Sequence, residues 1–359
     1  MKRLFYVYSQ PRKSWYFTIK KGNLPDHILY GLNWLKQPSY RTYFSDLGFS
    51  KWNLLKWPIS PLQKKFINQV GTGFQLDQAL VLLPQLRAAD LIITTNDSCG
   101  LPVAFLKQVK LLQTPQIYIH MKLTSAPDQH PILHKFISSL LKQPRTIISV
   151  SLQGGQKLIS NFGISNQRLR CFPPGIDTHF FQPRRLPSKH DLVAIGRDPG
   201  RDYKTLFQAI QNLPIKALVI CDLKNITNLP IPPNVTLQHQ VSYLKVRQAY
   251  HQARIVILPT KTRAISGQTN FLEALACAKP LITADTPTLH QSFKQENQAH
   301  CLYYRPENSI DLRRKISYLL NHPQLQKSLA RAARKTALQY SSRKFAEKLT
   351  TLINLKPRF

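Results

Sequence analysis

The chain has 359 residues, 43% of them hydrophobic and 19% charged, which excludes a disordered protein and leaves room for two cored domains. Its 50 Lys and Arg against 17 Asp and Glu give a formal charge of +33, which points to an anionic partner surface or to a habit of the source proteome. No apolar stretch is long enough to cross a membrane, and no run of basic residues is long enough to form a tail.

The start, MKRLFYVYSQPRKSWYF, lacks a secretory apolar core and a cleavage site, so a cytoplasmic protein is expected. The five cysteines are widely spaced with no CxxC pair, which suits reduced thiols and no zinc site. Leu4–Tyr8 reads as a first strand. The next sixty or so residues are rich in aromatics, Pro and Lys, with poor periodicity. Within them Leu47–Val70 mixes Trp52, Leu55, Trp57 and Phe66 with Lys51, Lys56, Lys64 and Lys65. This suits an anionic membrane interface, although Pro58 and Pro61 break any helix there; the plainer reading packs the aromatics on the domain or in an acceptor pocket.

From Asp77 the pattern becomes regular. A helix over Gln75–Ala89 precedes a strand over Asp90–Thr95, then a helix over Leu101–Leu112 and a strand over Gln116–His120. Helix His130–Leu141, strand Thr146–Val150 and helix Leu152–Asn161 follow. This alternation predicts βαβ units and a parallel sheet, with ligands at the carboxyl ends of its strands. His120 falls at such an end and is a candidate catalytic base, against the commoner reading of a structural histidine.

Residues 171–190, CFPPGIDTHFFQPRRLPSKH, read as a Pro-rich connector. Strand and helix then alternate again: Leu192–Ile195, Thr205–Gln211, Ala217–Cys221, Val235–Gln238 and Val241–Ala253. Gly196-Arg197 at a strand end puts a fixed cation where a diphosphate would sit. The apolar run Ile255–Leu258, stopped by Pro259, leads through Ser266-Gly267-Gln268-Thr269 into a short helix to about Ala278. A glycine-bearing loop at a helix start leaves backbone N–H groups for an anion, and Glu273 lies one turn past Thr269 on the same side. The plainer reading is an ordinary strand–loop–helix unit in which Glu273 complements the helix dipole.

Four passages in order carry a resemblance: FPPGIDTHFFQP, VAIGRDPGRDYKTL, SGQTNFLEALACAKPLITAD and ENQAHCLYYRPEN. Together they are similar to the GT-B retaining glycosyltransferases, family 4-like, over about Thr146–Tyr340. The resemblance implies an α/β fold of two Rossmann-like domains with parallel sheets facing a cleft. It implies an N-terminal acceptor domain over 1–172, a linker over 173–189, a nucleotide-sugar domain over 190–340, and a C-terminal helix over 341–359 that packs back on the first domain. It implies transfer of a hexosyl group, with retained configuration, from a nucleotide-diphosphate sugar to a glycan or lipid-linked acceptor, without cofactor or metal. Arg197 matches the diphosphate-binding arginine. Tyr203 stands at its usual lysine partner's place, which leaves Arg201 or Lys204 to serve. Gly267, Gln268 and Thr269 match the phosphate loop, and Glu273 the ribose-binding glutamate.

The family's first glutamate falls on Ile265, which keeps open a silent relative that binds nucleotide-sugar or glycan without turnover. Charge alone suggests a nucleic-acid-binding protein, but no recognisable module supports a specific nucleic-acid partner. The basic surface is expected instead to meet acidic glycan or the membrane periphery.

Overall fold

Short apolar runs buried on both faces make parallel strands, and this chain builds two sheets from them. The structure is a computed structural model describing residues 1–35, 38–46, 63, 66–121, 123, 131–262, 264, 266–293 and 299–355. Two compact units form: one holds Met1–Thr18, Leu29–Pro173 and Phe345–Phe359, the other Ile19–Ile28 and Pro174–Lys344.

In the first unit β1 (Lys2–Val7), β2 (Tyr40–Phe44), β3 (Leu91–Thr94), β4 (Gln116–His120), β5 (Thr146–Ser149) and β6 (Leu169–Cys171) lie in the order β2-β1-β3-β4-β5-β6. All pairs are parallel, and β3, β4 and β5 are buried throughout. Two of these strands, β2 and β6, have no counterpart in the periodicity. The expected helix over Gln75–Ala89 is two short ones, Leu76–Val81 and Leu83–Ala88, the second with Pro84 in its first turn, where a missing N–H costs nothing. The next helix starts at Asp97, earlier than its apolar run, because Asn96 caps it by accepting from Cys99 N. Pro102 lies inside it and cannot bond the Ser98 carbonyl, which accepts from Gln75 N at 3.0 Å instead.

In the second unit β7 (His190–Gly196), β8 (Ala217–Cys221), β9 (Val235–Gln238), β10 (Ala253–Leu258), β11 (Leu281–Ala284) and β12 (Leu302–Tyr304) take the order β12-β11-β10-β7-β8-β9, again all parallel. The order reverses between β7 and β10. In an open α/β sheet the ligand crevice lies at that switch point, outside the carboxyl ends of the strands. Val193, Ile195, Val256 and Leu258 face one core, and Leu192, Ala194, Ile255 and Ile257 the other, as the two-residue strand period requires.

The Pro-rich passage is not a spacer over its whole length. Ile176 and Phe181 are fully buried in the second unit, and Asp177 accepts from the backbone N–H groups of Asp26, His179 and Phe180. Most of the basic–aromatic stretch Leu47–Val70, with the membrane reading placed on it, lies outside the described residues. No described helix is long and apolar enough to cross a membrane.

Candidate active site

Gly196 ends β7, and its missing side chain makes room for a cation. A Cβ there would overlap Nε of Arg201, so glycine lets that guanidinium lie against the strand end. Arg201 is 4% exposed; its backbone bridges Thr260 just past β10, and its Nη2 donates to Asn270 Oδ1 at 2.7 Å. Its Nε and Nη1 are buried with no hydrogen-bond partner among the described residues. Gly267 starts the helix Gln268–Ala276 with φ of 110°, a left-handed conformation that favours glycine. Nη1 of Arg201 would stand 3.2 Å from a Cβ on Gly267, so the unpartnered guanidinium edge lies beside the helix start. The positive dipole end of this helix and a buried cation lie together, an arrangement that suits an anion.

Glu273 is on the same helix, 2% exposed, with Oε2 accepting from Asn270 Nδ2 at 2.9 Å and from the Tyr250 hydroxyl at 3.0 Å. Burial pushes its carboxyl up to about 7; those two hydrogen bonds, Arg201 and Arg197 oppose the rise. A carboxylate in this setting accepts well from neutral hydroxyls, whose donation favours its charged form.

Arg197, Thr269, Asn270 and Glu273 line one cleft of about 210 Å³ within the second unit. Ile220, Val241, Tyr243 and Val246 also line it, with Gln240. The cleft therefore brings together a cation, a hydroxyl-accepting carboxylate and apolar side chains. A ligand bearing phosphate, polyol and an aromatic ring matches that set of groups.

The structure thus gathers Arg197, Thr269 and Glu273 at the cleft, with Arg201 and Gly267 beside the helix start and Gln268 buried in its first turn. Lys204 is not with them: it is exposed and lines a separate cleft of about 470 Å³ with Phe207, Gln211 and Pro230–Pro233. Of the two candidate cations, Arg201 is the one whose guanidinium lies beside the helix start. His120 belongs to the first unit, 1% exposed, where its Nε2 donates to the Leu123 carbonyl oxygen at 2.7 Å. Ile265 lies outside the described residues. Two participants escaped the sequence reading, Asn270 and Tyr250. Asn270 carried a usable signal, standing three residues before Glu273 on the same helical face; Tyr250 carried none, because it reaches Glu273 from another helix. Among the described residues no group of three or more His, Cys, Asp or Glu side chains could hold a metal ion.

Residues 201–351 match the family model described as "Glycosyl transferase-like". No curated protein matches the sequence. HepE of Anabaena, solved in complex with UDP, superposes with a TM-score of 0.71 at 15% identity, over 99% of this chain and 100% of that one. HepE has also been solved with UDP-glucose. A sucrose-phosphate synthase from Thermosynechococcus elongatus gives 0.68 at 14% identity, over 98% of each chain. A glycosyltransferase from Rickettsia africae gives 0.66 at 15% identity, over 98% of this chain and 97% of that one.

Proposed function

From the GT-B fold of this chain and the glycosyltransferase-like domain over residues 201–351, we propose that the protein is a retaining hexosyltransferase. It moves a sugar from a nucleotide-diphosphate donor to a glycan or lipid-linked acceptor. The observation that carries this reading is the single cleft joining Arg197, Thr269 and the buried Glu273 beside the helix start. The complexes of HepE with UDP and UDP-glucose support a uridine diphosphate donor.

In the transfer, the bond from the anomeric carbon to the phosphate oxygen breaks, the acceptor hydroxyl oxygen bonds that carbon with retained configuration, and the hydroxyl proton leaves with the diphosphate. Negative charge collects on the leaving diphosphate. Arg197, Arg201 and the start of the helix Gln268–Ala276 are fixed dipoles and charges aimed there, a role that needs no metal ion. Glu273 holds the ribose hydroxyls, and the apolar side chains from Ile220 to Val246 take the base. The acceptor belongs to the first unit, and the excess of basic residues favours an acidic glycan or an anionic membrane periphery around it.

Thermal denaturation with UDP, GDP, ADP and their sugar conjugates tests this. A ligand at ~100 Kd that binds the native state alone contributes about 2.7 kcal/mol. One nucleotide is expected to stabilise the wild type and neither Arg197→Ala nor Glu273→Ala. If none stabilises the wild type, the reading fails. Ile265 at the usual first-glutamate position favours a second reading, a silent relative. Tight nucleotide-sugar binding with no transfer and no hydrolysis would establish it.

A further inference from the structure

The amide of Asn270 lies between two opposite charges and bonds both. Its oxygen accepts from Arg201 Nη2 at 2.7 Å, and its nitrogen donates to Glu273 Oε2 at 2.9 Å. The Tyr250 hydroxyl closes the chain on the same carboxylate oxygen at 3.0 Å. Arg201, Glu273 and Tyr250 are each more than nine-tenths buried, and Asn270, half-buried, reaches them from the lining of the cleft. A side-chain amide suits the position because it carries one acceptor and one donor group on a planar head. An aspartate would satisfy Arg201 and repel Glu273; an aliphatic side chain would remove the acceptor of Arg201 Nη2 and leave Glu273 Oε2 with Tyr250 alone.

We propose that Asn270 is a positioning residue that couples the diphosphate-binding and ribose-binding halves of the cleft, an inference that rests on the donor-site reading above. By occupying Nη2 of Arg201 it turns the unpartnered Nε and Nη1 toward the space between Gly196 and Gly267, beside the helix start. By occupying Oε2 of Glu273, together with Tyr250, it leaves Oε1 outside these bonds and available to hydroxyls. Phosphate at one end and a vicinal diol at the other then meet groups held in register by one side chain. The same linkage takes over part of the placement that a lysine at position 203 would supply; Tyr203 instead donates its hydroxyl to the Gly196 carbonyl at 2.6 Å.

The test is calorimetric titration of the full chain with UDP, GDP and ADP, and with pyrophosphate alone. The proteins are the wild type, Asn270→Leu, Asn270→Asp, Arg201→Ala and the Asn270→Leu/Arg201→Ala double variant. Asn270→Leu is expected to weaken the nucleoside diphosphate about 10-fold or more, yet less than about 3-fold further in the Arg201→Ala background, since contacting residues do not add. Pyrophosphate binding should fall with it, although pyrophosphate touches no ribose site. Asn270→Asp should bind progressively worse than wild type from pH 6 to 8, as Glu273 ionises against the introduced carboxylate. Being isosteric, it also keeps the test open should Asn270→Leu fail to fold. Unchanged affinity in Asn270→Leu and Asn270→Asp, or full additivity with Arg201→Ala, overturns the inference while the donor site stands. If the wild type binds no nucleoside diphosphate, the donor-site reading falls, and this inference with it.

Discussion

Glu273 is a buried carboxyl whose ionisation is set by competition between burial and its two hydrogen-bond donors, and burial prevails. Its folded value of about 7 lies above the ordinary 4.5, so between those values the native state keeps a proton that the unfolded chain has lost. Stability of the unliganded protein therefore falls as pH rises through that window, by up to about 3 kcal/mol from this group. Glu273→Gln should remove that slope, which urea unfolding at pH 4.5, 6 and 7.5 would show; an unchanged slope would contradict it. Hydroxyl donors favour the ionised form, so nucleotide affinity of the wild type should improve toward pH 8 relative to Glu273→Gln. At this scale the sequence was legible where spacing alone sets position: Gly267, Thr269 and Glu273 fall together because a helix puts them there. It left Arg201 and Lys204 as equals, since both lie within a few residues of Gly196-Arg197. Tertiary packing separates them. The backbone of Arg201 pairs with Thr260 and its head turns in under Gly196, while Lys204, on the following helix, faces solvent.

Helices and strands followed their local signals closely wherever burial was two-sided. Gln116–His120 and Ala217–Cys221, buried on both faces, have the bounds their residues predict, and so does the half-exposed edge strand Val235–Gln238. Errors came where a cap or a partner strand mattered more than periodicity. The strands β2 and β6 are edge strands, and each is defined by pairing with one distant neighbour, β2 with β1 and β6 with β5. The helix Asp97–Gln108 begins with polar residues that an apolar pattern does not register, and it lies close on β4 at Gly100. A Cβ at Gly100 would overlap the Tyr118 ring, whose hydroxyl donates to Asp97 at 2.6 Å. Gly100→Ala should therefore destabilise the protein by about 1–3 kcal/mol, the usual cost of overpacking a filled core. Denaturant unfolding checks this, and the loss should shrink when Tyr118→Phe, already lacking the hydroxyl that anchors the ring, is the background.

At the scale of the whole molecule, chain order and unit membership do not coincide. Ile19–Ile28 join the second unit, and Phe345–Phe359 join the first. Phe345, Leu349, Leu352 and Ile353 are buried there, Lys2 Nζ donates to the Ile353 carbonyl at 2.9 Å, and Arg145 Nη2 to that of Leu352 at 2.7 Å. Deleting residues 345–359 should lower the melting temperature of the first unit sharply, because several buried apolar side chains each contribute about 2 kcal/mol or more. The proposed nucleotide binding, assigned to the second unit, should persist at temperatures where the first has unfolded; loss of both together would contradict that division.

By itself the sequence determined the alternation of strand and helix, the strand ends where polar residues collect, and the loop–helix that presents Gly267, Thr269 and Glu273, because all of these arise from periods and caps a few residues long. Only the tertiary structure decided which cation stands behind the helix start, that Asn270 ties it to Glu273, that Tyr250 reaches the same carboxylate, and which termini complete which core. Those are contacts across tens to hundreds of residues. A periodicity of two or of three and a half carries no information about them.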